Sequence, residues 1–346
     1  MNSIFPLVSR ADVDAARSLI INEGLRFEED YDELVGVFNA GRLIGCGARA
    51  GRVLKMLVVD PEHRGGNVLS DIITELMRRD RSVKASGYFI FTKPCAIQSF
   101  ERLNFRLLVS LTGAGMLEYR NGLNQFLLKQ ASVIRPGNNG AVVISSDSFS
   151  KGHLHLIETA ASEVDNLYIF VPSEGHFSLS STHRLALARR CTSHLENVIV
   201  VESGPYVLDD ETFPGYFLKP GVSRDQLRLA MDMELFARYL APLFHISRRF
   251  VGSEPLDPEM RDHIRSMRSG LMEHGIRLVE IPRKKVGDLW IQARHIRNAM
   301  GSGEIGKARG LVPDVTYAYL KMLMQSGGAS EAASAGRRGG VRASNS

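Results

Sequence analysis

Apolar and polar positions near residues 50–80 follow the pattern of a strand, a turn and a helix in direct succession. The run Leu54–Val59 is mostly apolar, which predicts a strand, and the turn at 60–67 that follows it contains Gly65 and Gly66. A turn that leads into a helix presents its N–H groups to an anion, so this stretch can hold a pyrophosphate. The alternative is an ordinary strand, turn and helix that bind no ligand. The helix is predicted from apolar residues at helical spacing, namely Val68, Leu69, Ile72, Ile73, Leu76 and Met77.

The second part of the chain has a more regular pattern, in which short apolar runs alternate with helical patterns. A Pro- and Gly-rich stretch at 135–140 precedes the first of these runs. The alternation predicts an α/β domain with a parallel sheet, and ligands of such sheets bind at the carboxyl ends of the strands. The predicted strands are Ala141–Ile144, Leu167–Val171, Val198–Val201, Arg249–Val251 and Arg277–Ile281, and the predicted helices include His155–Ala161, Arg184–Cys191 and Gln226–Tyr239.

These patterns divide the chain into two predicted domains and a tail. A length of 346 residues also favours two domains. We predict the first domain at residues 1–133 and the second at residues 139–325. Residues 326–346 are mostly glycine and small polar residues that cannot bury a core, so we predict a disordered tail there.

Composition and charge narrow the function classes. The chain has 44% hydrophobic and 23% charged residues, which is close to the composition of globular proteins and excludes wholesale disorder. The net charge is +5, of which the tail contributes two, so the remainder is not the electrostatic footprint of a nucleic-acid-binding protein. Cys46, Cys95 and Cys191 lie far apart and form no metal-ligand spacing. No apolar run approaches the ~18 residues that span a bilayer, and no secretory signal is seen, so we expect a soluble cytoplasmic protein without a membrane partner.

A turn that ends in Gly-His follows the first predicted strand of the second domain. Phe149, Ser150, Lys151, Gly152 and His153 lead into a helix, which places an imidazole beside the N–H groups of the helix N-terminus. Such a site can hold nucleotide phosphates and stabilise the charge that develops on them. The alternative is that His153 is an exposed residue at a helix start and binds nothing.

A second basic stretch, close to the end of this domain, also opens a predicted helix. It supplies Arg294, His295 and Arg297. Two anion-binding helix starts in one α/β domain suit a triphosphate. The pairing resembles the nucleotidyltransferase superfamily, although Gln292 and Arg294 stand where that superfamily has hydroxyl residues.

The glycine turn of the first domain resembles the loop of the acyl-CoA N-acetyltransferase (GNAT) fold, Arg/Gln-x-x-Gly-x-Gly/Ala. The match runs over Arg64, Gly65, Gly66 and Asn67, with Asn67 in place of the second glycine. Leu69 stands where the loop has a small residue, and we expect it to crowd an approaching phosphate. The fold class implied is α/β, with a GNAT-like α+β domain followed by a Rossmann-like parallel-sheet nucleotidyltransferase domain.

In this order the two domains resemble the citrate (pro-3S)-lyase ligase family. The resemblance covers both domains and leaves out only the tail. The stretches that carry it are Phe91–Pro94, Phe149 with Gly152 and His153, Val171–Glu174, Thr212–Lys219, Ala241–Pro242, Arg249–Pro255 and Gly275–Arg283.

The resemblance implies a ligase that uses ATP and Mg²⁺ to join acetate to a carrier thiol through an acetyl-adenylate, with release of AMP and pyrophosphate. The thiol belongs to the CoA-like prosthetic group of the citrate lyase acyl carrier subunit. Acetate is already an anion, so its attack on the α-phosphate needs orientation and cations instead of a general base. We predict three catalytic residues, His153, Lys219 and Arg297. The predicted nucleotide-binding residues are Phe149, Ser150, Lys151, Gly152 and Arg294, and residues Arg64, Gly65, Gly66 and Asn67 are predicted to receive the CoA-like arm.

Three other functions stay open on the sequence alone. A nucleotidyltransferase with another small acceptor would share Gly152 and His153. A catalytically degenerate nucleotide-binding relative would fit the changes at Gln292, Arg294 and Leu69. An acetyltransferase that works through the first domain is disfavoured by the altered glycine loop.

Overall fold

The computed structural model describes residues 2–80, 87–146, 148–173, 179–208, 213–255, 257–283, 285–286, 289–290 and 293–325. Two compact units make up the chain. The first consists of Met1–Phe126 and Thr212–Met231, and the second of Leu127–Glu211 and Asp232–Ser346. The segment Thr212–Met231 therefore belongs to the first unit, although it lies far beyond residue 133 in the sequence. The tail predicted at 326–346 falls outside the described residues.

A seven-stranded sheet forms the centre of the first unit. Its strands lie in the order β1-β2-β3-β4-β5-β7-β6, and each neighbouring pair is antiparallel except β4 and β5, which are parallel. Ala40 and Gly41, both with positive φ, form the two-residue turn that closes the β2–β3 hairpin. The strands are β1 Ser3–Pro6, β2 Glu33–Asn39, β3 Arg42–Ala50, β4 Val53–Val59, β5 Phe89–Thr92, β6 Phe105–Ser110 and β7 Gly115–Tyr119.

Helix α2 packs closely on β3 because two glycines leave room for it. A side chain at Gly45 would collide with Val68, and one at Gly47 would collide with Ile72. The buried face of α2 contains four of the apolar residues that predicted this helix, Val68, Ile72, Ile73 and Leu76. The helices up to this point in the chain are α1 Arg10–Asn22, α2 Val68–Arg79, α3 Ile97–Glu101 and α4 Gly122–Gln130.

The second unit contains a five-stranded parallel sheet in the order β10-β9-β8-β11-β12. Because all five strands run the same way, their carboxyl ends share one edge, where ligands of open α/β sheets bind. These strands are β8 Asn139–Val143, β9 Asn166–Val171, β10 Val198–Glu202, β11 Ile246–Gly252 and β12 Arg277–Ile281, and a separate pair is β13 Lys285–Val286 and β14 Leu289–Trp290.

Helices lie between these strands, as the sequence pattern predicts. Helix α5 packs against β8, β9, β11 and β12. No helix of the described residues has the length and hydropathy needed to cross a membrane. The remaining helices are α5 Lys151–Ala161, α6 Ser181–Cys191, α7 Arg224–Leu235 with a π-helical turn at Phe236–Leu240, α8 Ala241–Leu243, α9 Pro258–Glu273, α10 Ala293–Gly301 and α11 Asp314–Gln325.

The fold class predicted from the sequence is confirmed. The first unit mixes helices with a largely antiparallel sheet, and the second has the parallel sheet typical of Rossmann-like domains. Each strand predicted in the second domain overlaps an observed strand, and Arg277–Ile281 coincides with β12. The predicted helix His155–Ala161 forms the last seven residues of α5, which begins earlier, at Lys151.

Candidate functional site

The N-terminus of α5 lies at the carboxyl edge of the parallel sheet, directly after β8. Ser150 is the N-cap residue, and its Oγ accepts a hydrogen bond from the backbone N–H of His153 at 3.1 Å. In return the backbone N–H of Ser150 donates to Nδ1 of His153 at 3.2 Å. This is a capping box in which a histidine takes the place that Glu or Gln usually has.

The backbone N–H groups at this helix start differ in whether they have a hydrogen-bond partner among the described residues. The N–H of Lys151 donates to the carbonyl oxygen of Leu311 at 2.9 Å. The N–H of Gly152 donates to no other described residue, so it can donate to an anion placed at the helix N-terminus. The side chain of Lys151 is half-buried at the same turn. The sequence prediction of a phosphate site here stays a prediction.

The imidazole of His153 is fixed by its surroundings. Phe149 is buried, with 4% of its surface exposed, and its ring lies 5.9 Å from the ring of His153 between centroids. Phe149 belongs to the core cluster of the second unit, together with Phe250 of β11 and Ile281 of β12. Phe149 is therefore a packing residue that orients His153, and its predicted role in binding nucleotide stays a prediction.

His153 is neutral at physiological pH. Burial and the positive charge of Arg283 lower its pKa to about 4, and a hydrogen bond with the backbone of Ser148 offsets part of that effect. Because Nδ1 accepts the hydrogen bond from Ser150, the proton of the neutral ring resides on Nε2. The Nε2–H of the neutral ring is then the group that donates to the backbone of Ser148, and an oxyanion would take over this donor by replacing that partner.

A crevice lies beside this helix start. It is shallow and opens between the ends of β8 and β9 and helix α6. Its wall is mainly apolar, with Ser146 and Arg184 as polar groups. The lining residues are Ile144, Ser146, Phe149, Val171, Arg184, Leu187 and Ala188.

A charged pair lies at the ends of β11 and β12, and the sequence prediction missed it. Arg283 forms an ion pair with Glu254, and its backbone N–H donates to Oγ of Ser253 at 3.3 Å. Arg283 belongs to the basic run 283–285, which in the sequence resembles a solvated face. Its position two residues after a predicted strand was the signal that could have found it.

The second basic stretch is helical, as predicted. Helix α10 begins at Ala293, and Ile296 is fully buried in a cluster with Ala299, Ala308, Val312 and Leu320. Gln292 falls outside the described residues. Arg294 and Arg297 lie on α10, but the directions of their side chains are not described, so their predicted contacts with a triphosphate stay predictions.

Lys219 belongs to the first unit, whereas His153 belongs to the second. Lys219 is exposed and ends a segment that is anchored within its own unit. The Tyr216 hydroxyl donates to the carbonyl oxygen of Phe91 at 2.6 Å, and the ring of Phe213 lies edge-on to that of Phe91 at 5.2 Å. The predicted catalytic role of Lys219 stays a prediction.

The glycine loop of the first unit differs in detail from the sequence expectation. The left-handed residue is Gly65, with φ of 84°, whereas Asn67 has φ of −87° and is the N-cap of α2. Leu69 packs against the core cluster of α2 and β4, so the expectation that it crowds a phosphate is not supported by its packing. Arg64 forms an ion pair with Glu23. Gly66 and Asn67 are exposed, and their N–H groups donate to no other described residue.

The described residues do not fit a protein-held Mg²⁺. The group with metal-ligand spacing among them is Asp60, Glu62 and His63 in the first unit. Arg42 already contacts Asp60 at 2.7 Å and carries the charge that a cation would supply. Near His153 the carboxylate of Glu254 is engaged by Arg283. The Mg²⁺ that the family resemblance implies stays a prediction.

Comparison with known proteins shows the family. The model of the citrate lyase ligase C-terminal domain matches residues 139–320. The chain is 32% identical to the citrate (pro-3S)-lyase ligase of Klebsiella pneumoniae, over 87% of this chain and 90% of that protein. The chain belongs to the citrate lyase ligase family. A second relative, the ligase of Escherichia coli K12, is 28% identical over 94% of this chain and 95% of that protein. Members of the citrate lyase ligase family are enzymes of the ligase class, and so is this chain.

Solved structures resemble the N-terminal part of this citrate lyase ligase family member. N-acetylglutamate synthase from Neisseria gonorrhoeae, in complex with coenzyme A and N-acetyl-glutamate, is 17% identical, with a TM-score of 0.30 over 34% of this chain and 35% of that one. Escherichia coli ElaA is 8% identical, with a TM-score of 0.29 over 35% of this chain and 100% of that one. At these TM-scores the likenesses carry no argument about the fold of that part or about its ligand.

Proposed function

We propose that this chain acetylates the prosthetic-group thiol of the citrate lyase acyl carrier subunit, with ATP as the energy source. In the first step, an acetate oxygen attacks the α-phosphorus of ATP and the bond to pyrophosphate breaks, which gives acetyl-adenylate. In the second step, the carrier thiol attacks the acetyl carbon, loses its proton, and releases AMP. Family membership supports the overall reaction.

The observation that carries the adenylating step is the helix start at Ser150–His153. The N–H of Gly152 and the Nε2–H of His153 are two hydrogen-bond donors at one helix N-terminus, where the helix dipole also favours an anion. Donors that are already oriented stabilise charge that builds up on phosphate oxygens in the transition state. A neutral imidazole suits this task, because acetate needs no base to deprotonate it.

The experiment that tests this step is acetate-dependent exchange of labelled pyrophosphate into ATP by the full chain, with Mg²⁺ in the buffer. We expect exchange in the wild type and a loss in His153→Asn. His155→Asn is the matched control, because His155 is a half-buried histidine on the same helix. Exchange that does not need acetate would favour a nucleotidyltransferase with another acceptor. Binding of ATP without exchange would favour a degenerate relative, once a carrier-dependent first step is excluded by adding the carrier subunit.

For the first unit, we propose that the glycine loop receives the phosphate end of the carrier's CoA-like arm. The exposed N–H groups of Gly66 and Asn67 support this proposal. Arg64 is a weaker candidate than the sequence suggests, because Glu23 partly neutralises it. A truncation near Asn139 is a poor test, since the segment Thr212–Met231 would lose the unit to which it belongs. Point variants of the loop in the full chain are the better test.

The roles proposed for Lys219, Arg294 and Arg297 rest on the family resemblance alone. For each of these residues we expect that substitution by alanine lowers the exchange rate and leaves the unfolding temperature unchanged. A substitution that leaves the exchange rate unchanged would remove that residue from the catalytic set.

A further inference from the structure

The ends of β11 and β12 are tied together at the edge of the sheet that faces the helix start of α5. The backbone N–H of Ser253 donates to the carbonyl oxygen of Ile281 at 2.9 Å, and the backbone N–H of Arg283 donates to Oγ of Ser253 at 3.3 Å. These two hydrogen bonds hold the strand ends in register without any help from charged side chains. The ends of β11 and β12 are therefore held together without the ion pair between Arg283 and Glu254.

This ion pair is partly withdrawn from water. The side chain of Arg283 is 26% exposed and that of Glu254 is 18% exposed. Burial lowers the pKa of Arg283, although the guanidinium stays charged. Withdrawing two charges from water costs free energy that their attraction only partly returns, so such a pair is weak evidence for a purely stabilising role. Arg268 and Glu280 form a comparable pair in the same unit that is more exposed, at 48% and 36%.

Arg283 lies at the same edge of the sheet as the donors of the adenylating site. Helix α5 packs against both β11 and β12, and Phe149 at its start shares a core cluster with Ile281, two residues before Arg283. The positive charge of Arg283 also lowers the pKa of the His153 imidazole, in keeping with this packing. A guanidinium, a neutral imidazole and a helix N-terminus therefore occupy one region at the carboxyl ends of the strands.

We propose that Arg283 binds an oxyanion of the substrates in the adenylating step, and that Glu254 is the positioning residue that orients its guanidinium. This inference rests on the function proposed above. The oxyanion is either the carboxylate of the acid or a phosphate oxygen of ATP, since both present the paired oxygens that a planar guanidinium binds. Glu254 offsets part of the positive charge of Arg283. Glu254 therefore contributes by orienting the guanidinium and not by attracting the oxyanion.

The test measures pyrophosphate exchange in the full chain at varied acetate and varied ATP. We expect Arg283→Gln to lower kcat/KM by roughly 100-fold, as removal of one oriented donor does elsewhere. Arg283→Lys keeps the positive charge but loses the planar arrangement of N–H donors, so we expect an intermediate loss of kcat/KM. Glu254→Gln is expected to lower kcat/KM by a smaller factor, with a raised KM for the substrate that Arg283 binds. A raised KM for acetate alone identifies the carboxylate, and a raised KM for ATP alone identifies a phosphate.

Arg268→Gln is the matched control, since it breaks a more exposed Arg–Glu pair of the same unit, between α9 and β12. We expect it to keep wild-type kinetics. Wild-type kinetics in both Arg283 variants would overturn the inference. So would a Glu254→Gln protein that unfolds at a lower temperature while both KM values and kcat stay unchanged, because that result describes a purely structural pair.

Failure of the proposed function gives a different result. If the wild type shows no acetate-dependent exchange, the proposed function fails whatever the variants do. Calorimetric titration of acetate and of ATP then decides the inference about Arg283. Weaker binding of either ligand by Arg283→Gln supports an oxyanion site, whereas equal binding by wild type and variant, or none by either, overturns it.

Discussion

His153 has two roles in this account, and two substitutions separate them. Its Nδ1 caps the N-terminus of α5 by accepting from the N–H of Ser150, and its Nε2–H donates to phosphate oxygens. Asparagine carries an amide oxygen at the position of Nδ1 and nothing at the position of Nε2. His153→Asn therefore keeps the cap and loses the donor, whereas His153→Ala loses both.

The structure sets the size of each effect. Loss of one oriented donor to a developing charge lowers kcat by roughly 10²–10³-fold, so both variants are expected to lose that much exchange activity. Ser150 is only 5% exposed, and in His153→Ala its backbone N–H loses the imidazole acceptor. A buried donor without a partner costs about 1–3 kcal/mol of unfolding free energy. The asparagine variant is expected to stay within ~0.5 kcal/mol of the wild type, the range typical of substitutions that keep local contacts.

Two assays on the same protein samples check this prediction. Pyrophosphate exchange gives the activity, and thermal unfolding of the second unit gives the stability, with about 2–4 °C expected for each kcal/mol in a unit of this size. Wild-type exchange in His153→Asn would refute the reasoning, because the histidine would then be a cap and nothing more. Equal stability of His153→Ala and wild type would refute the capping role.

Three further predictions concern pH, the glycine loop and the anchored segment. The exchange rate should show no acid limb near pH 6.5, since the neutral form of His153 is the active one and burial lowers its pKa to about 4. Gly65→Ala should destabilise the first unit by about 1 kcal/mol through its positive φ and raise the KM for the carrier subunit. Phe213→Ala, at a fully buried ring, should cost about 3–5 kcal/mol in the unfolding of the first unit.

Each of these predictions has an outcome that would contradict it. An acid limb near pH 6.5, in a protein that stays folded there, would mean that the catalytic histidine is not buried as described. Gly41→Ala is the control for the loop, since Gly41 has a similar φ of 80° and open space around its Cα. An equal rise in the KM for the carrier subunit in both glycine variants would exclude a specific role for the loop. A Phe213→Ala protein as stable as the wild type would mean that the segment is not packed as described.

Much of the candidate site could be predicted from the sequence because its determinants are local. The helical spacing over His155–Ala161 predicts α5, although the helix begins earlier, at Lys151, and the preceding apolar run predicts the strand. The protonation state of His153 could not be predicted. It depends on burial and on Arg283, which is 130 residues away in the sequence.

The grouping of Thr212–Met231 with the first unit could not be predicted for a similar reason. It depends on contacts such as those of Phe213 and Tyr216 with Phe91, which are more than a hundred residues apart. Composition shifts mark loops between domains, but they do not reveal a segment that leaves one unit and packs with another. The helix at Arg294 and Arg297 was predictable from its pattern, whereas the contacts of these arginines are not.

The central claim is that the full chain forms acetyl-adenylate at the helix start of α5. Exchange of labelled pyrophosphate into ATP, measured with and without acetate and without carrier protein, tests it most directly. We expect exchange that requires acetate, is lost in His153→Asn and is kept in His155→Asn. Exchange at the same rate without acetate, or at the same rate in His153→Asn, would contradict it.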